Sequence, residues 1–156
     1  MKKIDFKREL KELYQQIILD HNKDPKNYGK LEKHNHDSEG FNPLCGDRVH
    51  VYLMVEDGLI KEIRFEGSGC AISKASASVM TTLLKGKTVE EAKALFAQFQ
   101  KMITADVHTP PDVEKVGKMA VFAGVREFPS RIKCAGLAWH TVIAAIEDRD
   151  EAVSTE

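Results

Sequence analysis

The hydrophobic pattern predicts an amphipathic helix near the start of the chain. Its apolar residues recur at spacings of three and four between charged and amide side chains, and Asp5 precedes them as a predicted N-cap. These residues are Phe6, Leu10, Leu13, Tyr14, Ile17 and Ile18. We expect this helix to lie on a sheet. The polar segment from His21 to Gly40, which contains Pro25 and Gly29, is predicted to be a long loop or an extended excursion.

A β-hairpin is predicted to follow this loop. From Asp47 the pattern changes to a period of two, which is typical of a strand. One face of that strand carries Val49, Val51, Leu53 and Val55, and the other carries His50, Tyr52 and Met54. Glu56-Asp57-Gly58 is a turn signal, and the return strand ends at Gly67-Ser68-Gly69. The pattern therefore predicts two antiparallel strands.

Helices are predicted for most of the remaining chain. A helical stripe after Cys70 is closed by Gly86 as the expected C-cap, and Thr88 with Glu91 forms a capping box for a second helix. Pro110-Pro111 ends that helix. A short helical stretch is expected to hold Val113, Val116 and Met119, and a last helix is expected to start at Phe128-Pro129-Ser130.

The order of these elements indicates an α+β fold. One helix, a hairpin and then helices only are typical of a small antiparallel sheet with helices packed on one face. We find no repeat and no linker, and 156 residues suit a single core. The sequence therefore predicts one domain over residues 1–148 and a flexible tail over 149–156.

Composition and charge argue against nucleic-acid and membrane partners. The chain is 42% apolar and 30% charged, as expected of an ordinary globular protein, and its formal charge is −1. That charge provides no net field toward nucleic acid or an anionic membrane, so neither is expected as a partner. No apolar run approaches the roughly 20 residues that span a bilayer, and the N-terminal residues continue directly into the amphipathic helix. We therefore expect a cytoplasmic protein.

The cysteines stand at junctions between predicted elements. The chain has three, an odd number, and a chain of this size without a signal peptide is expected to keep them reduced. Cys45 lies before the first hairpin strand, Cys70 opens a helix after the hairpin, and Cys134 is expected in the first turn of the last helix. A helix N-terminus favours thiolate over thiol, and thiolate is the form that binds metal or attacks.

The hairpin gives a reason why these residues should meet. Its chain leaves the sheet at the end where it entered, so Cys45 and Cys70 are expected at the same end. Asp47 could add an oxygen ligand and Cys134 a third sulfur, and three sulfurs with one carboxylate suit four-coordinate zinc. The alternative is that the cysteines are small core residues, which the glycines beside Cys45 and Cys70 make less attractive.

Three motifs together resemble one family. Asn42-Pro43-Leu44-Cys45-Gly46-Asp47, Gly67-Ser68-Gly69-Cys70-Ala71-Ile72-Ser73 and Arg131-Ile132-Lys133-Cys134 occur in the order seen in the iron–sulfur cluster assembly scaffolds of the IscU/NifU N-terminal family. With the helix–hairpin–helix layout, the resemblance covers nearly the whole chain. It implies an IscU-like fold and a role in iron–sulfur cluster assembly.

Two departures make the chain similar to the SufU branch of this family. Lys133 stands where classical scaffolds have a histidine, and an extra segment lies within residues 85–128. The resemblance then implies a zinc-dependent sulfurtransferase that takes persulfide sulfur from a SufS-type cysteine desulfurase, with Cys45, Asp47, Cys70 and Cys134 as zinc ligands. Other iron–sulfur assembly proteins are the further expected partners.

Within this resemblance, Cys45 is the expected sulfur acceptor, because its loop and Gly46 allow it to move away from a metal most easily. Arg131 is expected to support the thiolates or to contact the desulfurase, and a solvated arginine is the alternative. Two other functions remain open. The chain could instead assemble and transfer a transient iron–sulfur cluster on the same thiolates, or serve as an adaptor of the desulfurase with zinc as a structural staple.

Overall fold

The fold consists of a four-stranded sheet and a layer of helices. A computed structural model describes residues 6–149 and 152–155, so the predicted N-cap Asp5 lies outside the described residues. The strands are β1 His36–Asn42, β2 Asp47–Glu56, β3 Leu59–Ser68 and β4 Val153–Ser154. The helices are α1 Phe6–Lys23, α2 Ala71–Leu84, α3 Val89–Ile103, α4 Val113–Val116, a 3₁₀ helix Gly117–Glu127 and α5 Pro129–Ile146.

The predicted hairpin is confirmed as β2 and β3. The two strands pair antiparallel, and Asp57 and Gly58 between them have φ values of 53° and 75°, as a tight two-residue hairpin turn requires. Val51, Leu53 and Ile63 point into the core and are fully buried. Because Arg48 pairs with Ser68, the start of β2 and the end of β3 lie side by side.

The segment from His21 to Gly40, predicted as a long loop or an extended excursion, is helical at its start and forms a strand at its end. Helix α1 continues to Lys23, and β1 begins at His36 and pairs antiparallel with β2. The inward-facing residues of β1 are Ser38, Gly40 and Asn42, so this strand lacks the apolar alternation that marks β2. The glycine at position 40 is explained by packing, because a Cβ there would overlap Thr141 Oγ1 of α5.

The helices occupy one face of the sheet, which confirms the predicted α+β fold. Helix α5 packs on β1 and β2, and α2 packs on β3 and α5. Helix α1 was expected on the sheet but packs instead on α2 and the 3₁₀ helix. Its contact with α2 includes a 2.7 Å hydrogen bond between His21 Nδ1 and the buried Ser78 Oγ. The core between the layers includes Trp139, whose ring lies 5.2 Å from that of Phe99.

The local helix signals near the middle of the chain are also confirmed. Thr88 and Glu91 form the predicted capping box. The C-cap of α2 is Lys85 rather than the predicted Gly86, which follows it with φ of 84°. Val113–Val116 forms the predicted short helix, which continues as the 3₁₀ helix. Within the described residues, no helix is both long and apolar enough to cross a membrane.

The sheet order is β3-β2-β1-β4, and the last strand is short. Val153–Ser154 lies within the segment predicted as a flexible tail, yet it pairs parallel with Gly40 and Phe41 of β1. Thr155 N also donates a hydrogen bond of 3.2 Å to Phe41 O. β4 therefore adds a parallel edge to an otherwise antiparallel sheet.

Candidate metal centre

The four predicted ligands come from four different places in the fold. Cys45 lies in the loop between β1 and β2, Asp47 is the first residue of β2, Cys70 precedes α2, and Cys134 lies in α5. One ligand atom each from Cys45, Asp47 and Cys134 lies within 4.8 Å of the other two. Cys70 joins through Asp47, because its Sγ is 3.8 Å from Asp47 Oδ2.

Asp47 is the centre of this arrangement. Its carboxylate is fully buried and accepts a hydrogen bond of 2.8 Å from the backbone N–H of Cys70. Gly69 makes that approach possible, since its φ is 152° and a Cβ there would overlap Asp47 Oδ1. The pairing of Arg48 with Ser68 places Asp47 beside this turn. The second glycine of the Gly-Ser-Gly sequence is therefore explained by the close approach of the Asp47 carboxylate.

Cys70 is the N-cap of α2, as predicted. Its Sγ accepts a hydrogen bond of 3.5 Å from Ser73 N, so the sulfur lies at the positive end of the helix. The corresponding prediction for Cys134 is wrong. Because Pro129 is the first residue of α5, Cys134 lies in the second turn, and its Sγ instead donates toward Ser130 O at 3.6 Å.

Cys134 is fully buried, and its surroundings are negatively charged. Burial, and then hydrogen bonds to Asp47 and Cys45 and the charge of Cys70, raise the pKa of the Cys134 thiol. Arg131, one helical turn earlier, is the compensating cation. Its hydrogen bond to Cys134, followed by the charges of Cys70 and Cys134, raises the pKa of the Arg131 guanidinium. The structure thus places Arg131 beside the thiols.

Asn42 is a site residue that the sequence analysis did not single out. This last residue of β1 is 1% exposed and pairs with Asp47 across the sheet. Its Nδ2 lies 3.8 Å from Cys134 Sγ and donates toward it. Asn42 is the first residue of the first of the three motifs. Because the sequence did not predict β1, it did not predict that the Asn42 side chain faces the core.

The sulfur and carboxylate groups of Cys45, Asp47, Cys70 and Cys134 fit a metal ion. Zinc binds thiolate at about 2.3 Å and carboxylate at about 2.0–2.2 Å, so its ligand atoms lie roughly 3–4 Å from one another. The separations in the Cys45, Asp47 and Cys134 group are compatible with that geometry, and Cys70 stands next to Asp47. As ligands, three thiolates and one buried carboxylate would carry negative charge that a divalent cation offsets.

His140 and Lys133 are turned away from the thiols. Both line a separate cavity of about 400 Å³ between α3, α5 and β4, and the His140 ring packs edge-on against Phe96 at 5.1 Å. His140 lies six residues after Cys134, which turns it roughly 240° away around the helix and excludes it as a ligand; its place in the fold agrees. Lys133 has an ammonium group with no lone pair to offer a metal.

Comparisons with known proteins agree with the three motifs. A family model described as the NifU-like N terminal domain matches residues 13–150. The chain is 39% identical to the zinc-dependent sulfurtransferase SufU of Bacillus subtilis (strain 168), over 87% of this chain and 90% of the relative. It is 38% identical to the iron–sulfur cluster assembly scaffold protein IscU of Thermotoga maritima, over 88% of this chain and 94% of the relative.

Solved structures give the same result. A protein from Fervidobacterium islandicum AW-1, described as an iron–sulfur cluster assembly scaffold for the SUF system, superposes with a TM-score of 0.78 at 35% identity. That match covers 86% of this chain and 97% of the other. A NifU-like N-terminal protein from Brucella abortus also has a TM-score of 0.78, at 26% identity, over 88% and 94% of the two chains. The chain belongs to the NifU-like N-terminal domain family of iron–sulfur cluster assembly proteins.

Proposed function

We propose that this protein is a zinc-dependent sulfur acceptor that takes persulfide sulfur from a SufS-type cysteine desulfurase onto Cys45. The supporting observation is the unequal exposure of the thiols. Cys134 is fully buried, whereas Cys45 and Cys70 are both partly exposed. Cys70 is tied to the start of α2 as its N-cap, and Cys45 lies in a loop next to Leu44, which is 73% exposed. A donor protein therefore reaches Cys45 before it reaches Cys134.

Zinc held by Cys45, Asp47, Cys70 and Cys134 would keep the thiols deprotonated between encounters. The transfer itself is a thiol exchange. The Cys45 thiolate attacks the terminal sulfur of the donor's persulfide, a sulfur–sulfur bond forms at Cys45, and the donor's cysteine leaves as a thiolate. The transferred sulfur keeps its oxidation level, so the step needs no oxidant or reductant.

The surface near the thiols supports docking of a donor protein. Leu44 precedes Cys45 and Phe128 precedes α5, and these two apolar side chains are 73% and 58% exposed. Leu44, directly next to Cys45, would be part of the surface that a donor protein contacts on reaching this thiol. Arg131, which lies among the thiols, would offset the negative charge that an incoming persulfide adds.

A second candidate function is assembly of an iron–sulfur cluster on the same thiolates. It is supported by the similarity to the scaffold IscU of T. maritima, which extends over 94% of that protein. Lys133 supports the first candidate, because its side chain supplies no ligand where classical scaffolds have a histidine. A third candidate is an adaptor in which zinc only stabilises the fold and no sulfur reaches Cys45.

The test is the turnover of a SufS-type desulfurase with wild type, Cys45→Ser and Leu44→Ala, with zinc measured in each. The relay predicts stimulation by wild type and none by Cys45→Ser, which should still dock and compete with wild type. Leu44→Ala should reach full stimulation at a higher concentration. Full stimulation by Cys45→Ser would support the adaptor, and a stable cluster without zinc on the purified protein would support the scaffold.

A further inference from the structure

We propose that Asn42 is a positioning residue that couples the Cys45 loop to the sulfur of Cys134. The inference rests on the proposed function, since it assigns a role within the same thiol site. Its starting point is the location of Asn42. The residue is the last of β1, is 1% exposed, and pairs with Asp47, so its side chain lies directly under the loop that carries Cys45.

Both ends of the Asn42 amide have partners in the site. Nδ2 donates toward Cys134 Sγ at 3.8 Å, and Oδ1 accepts a hydrogen bond of 3.2 Å from Leu44 N. An asparagine side chain that binds the backbone two residues later forms an Asx turn, which fixes the start of a loop. One side chain therefore contacts the buried Cys134 thiol and holds the backbone next to Cys45.

The backbone of Asn42 holds the loop as well. Its carbonyl oxygen accepts hydrogen bonds from Cys45 N at 3.2 Å and Gly46 N at 2.8 Å. Because these two bonds involve only the backbone, we expect them to remain when the Asn42 side chain is substituted. The side-chain links can therefore be removed while the turn is kept. The side chain's own contribution is the link to Leu44 and the link to Cys134.

The link to Cys134 has an electronic consequence. An N–H donor toward a thiolate withdraws electron density from sulfur, and hydrogen bonds of this kind tune the metal that the sulfur binds. Arg131 also hydrogen-bonds Cys134, but its side chain is exposed, whereas Asn42 is 1% exposed. Asn42 therefore provides a buried donor and Arg131 an exposed one.

Two substitutions separate the two links. Asn42→Ser keeps a short oxygen that can accept from Leu44 N, but it cannot reach Cys134. Asn42→Ala removes both links. The matched control is Asn35→Ser, because Asn35 also forms two amide hydrogen bonds, to Val55 O at 2.7 Å and from Val55 N at 2.9 Å, away from the thiols.

The first measurement uses cobalt(II) alone as a spectroscopic probe in place of zinc, without desulfurase. Loss of the N–H donor should shift the sulfur-to-cobalt charge-transfer bands to longer wavelength in both Asn42 variants and leave them unmoved in Asn35→Ser. A purely structural role does not produce this pattern. Unshifted bands in Asn42→Ser and Asn42→Ala would overturn the proposal, even where sulfur transfer itself is established.

The second measurement is amide hydrogen exchange at Leu44, Cys45 and Gly46 in the full chain. Asn42→Ala should exchange about fivefold faster than wild type, the factor expected for one lost hydrogen bond, and Asn42→Ser should remain near wild type. Equal exchange in wild type and Asn42→Ala would refute the coupling of the loop. Failure of both Asn42 variants to fold, seen by circular dichroism, would also overturn the proposal and leave Asn42 a structural residue.

Discussion

Gly69→Ala tests whether the turn before Cys70 shapes the site. The added Cβ would overlap Asp47 Oδ1 and lie 3.0 Å from Asp47 Cα and Cγ, and the φ of 152° is unfavourable for alanine. Backbone strain of about 1–3 kcal/mol and overpacking of about 1–3 kcal/mol predict a loss of roughly 2–6 kcal/mol in the free energy of unfolding. Displacement of the carboxylate should also weaken zinc binding about 10–100-fold, as expected when a supporting residue is lost.

Gly29→Ala is the matched control, because Gly29 also has a positive φ, of 124°, but has nothing within 4 Å of an added Cβ. It should lose about 1–3 kcal/mol from strain alone and bind zinc like wild type. The assays are urea unfolding of metal-free protein and competition for zinc with a chromogenic chelator. Equal losses of stability in the two variants, together with unchanged zinc affinity in Gly69→Ala, would refute the reasoning.

Three further predictions concern residues of the fold outside the thiol site. Gly40→Ala should lose about 1–3 kcal/mol by overlap with Thr141 Oγ1, and addition of Thr141→Ala should restore part of that loss in urea unfolding; no recovery would contradict the contact. Thr88→Ala should lose about 1 kcal/mol with zinc affinity unchanged, because only the cap of α3 is affected. Burial, and then Arg149, lower the pKa of His140 below its ordinary 6.5, so the folded protein binds this proton less readily than the unfolded chain. Stability should therefore fall as the pH drops below about 6.5, and His140→Gln should flatten that fall; an identical pH profile would contradict the assignment.

The sequence predicted those elements whose signals are local. The β2–β3 hairpin combines period-two alternation with a turn at Asp57 and Gly58, and the capping box of α3 needs only Thr88 and Glu91. The position of Cys70 beside Asp47 also follows from the hairpin, which brings the start of β2 next to the end of β3. Each of these inferences uses residues within one or two adjacent elements, which is the range over which periodicity and capping rules operate.

The features that the sequence missed depend on contacts between distant segments. Strand β1 presents Ser38, Gly40 and Asn42 inward, and at Gly40 helix α5 lies too close for any side chain. The short strand β4 forms only by pairing with β1. The inward position of Asn42 in turn depends on its pairing with Asp47. Its contact with Cys134 therefore could not be predicted from the sequence pattern either.

The central claim is that sulfur enters this protein at Cys45, the partly exposed thiol that lies in a loop. The most direct measurement is a single turnover of a desulfurase with radiolabelled cysteine, followed by alkylation and mass spectrometry of the three cysteine peptides. The account predicts one additional sulfur on the Cys45 peptide and none on that of the buried Cys134 at early times. Early label on Cys70 or Cys134 alone, or no label on the protein, would contradict it.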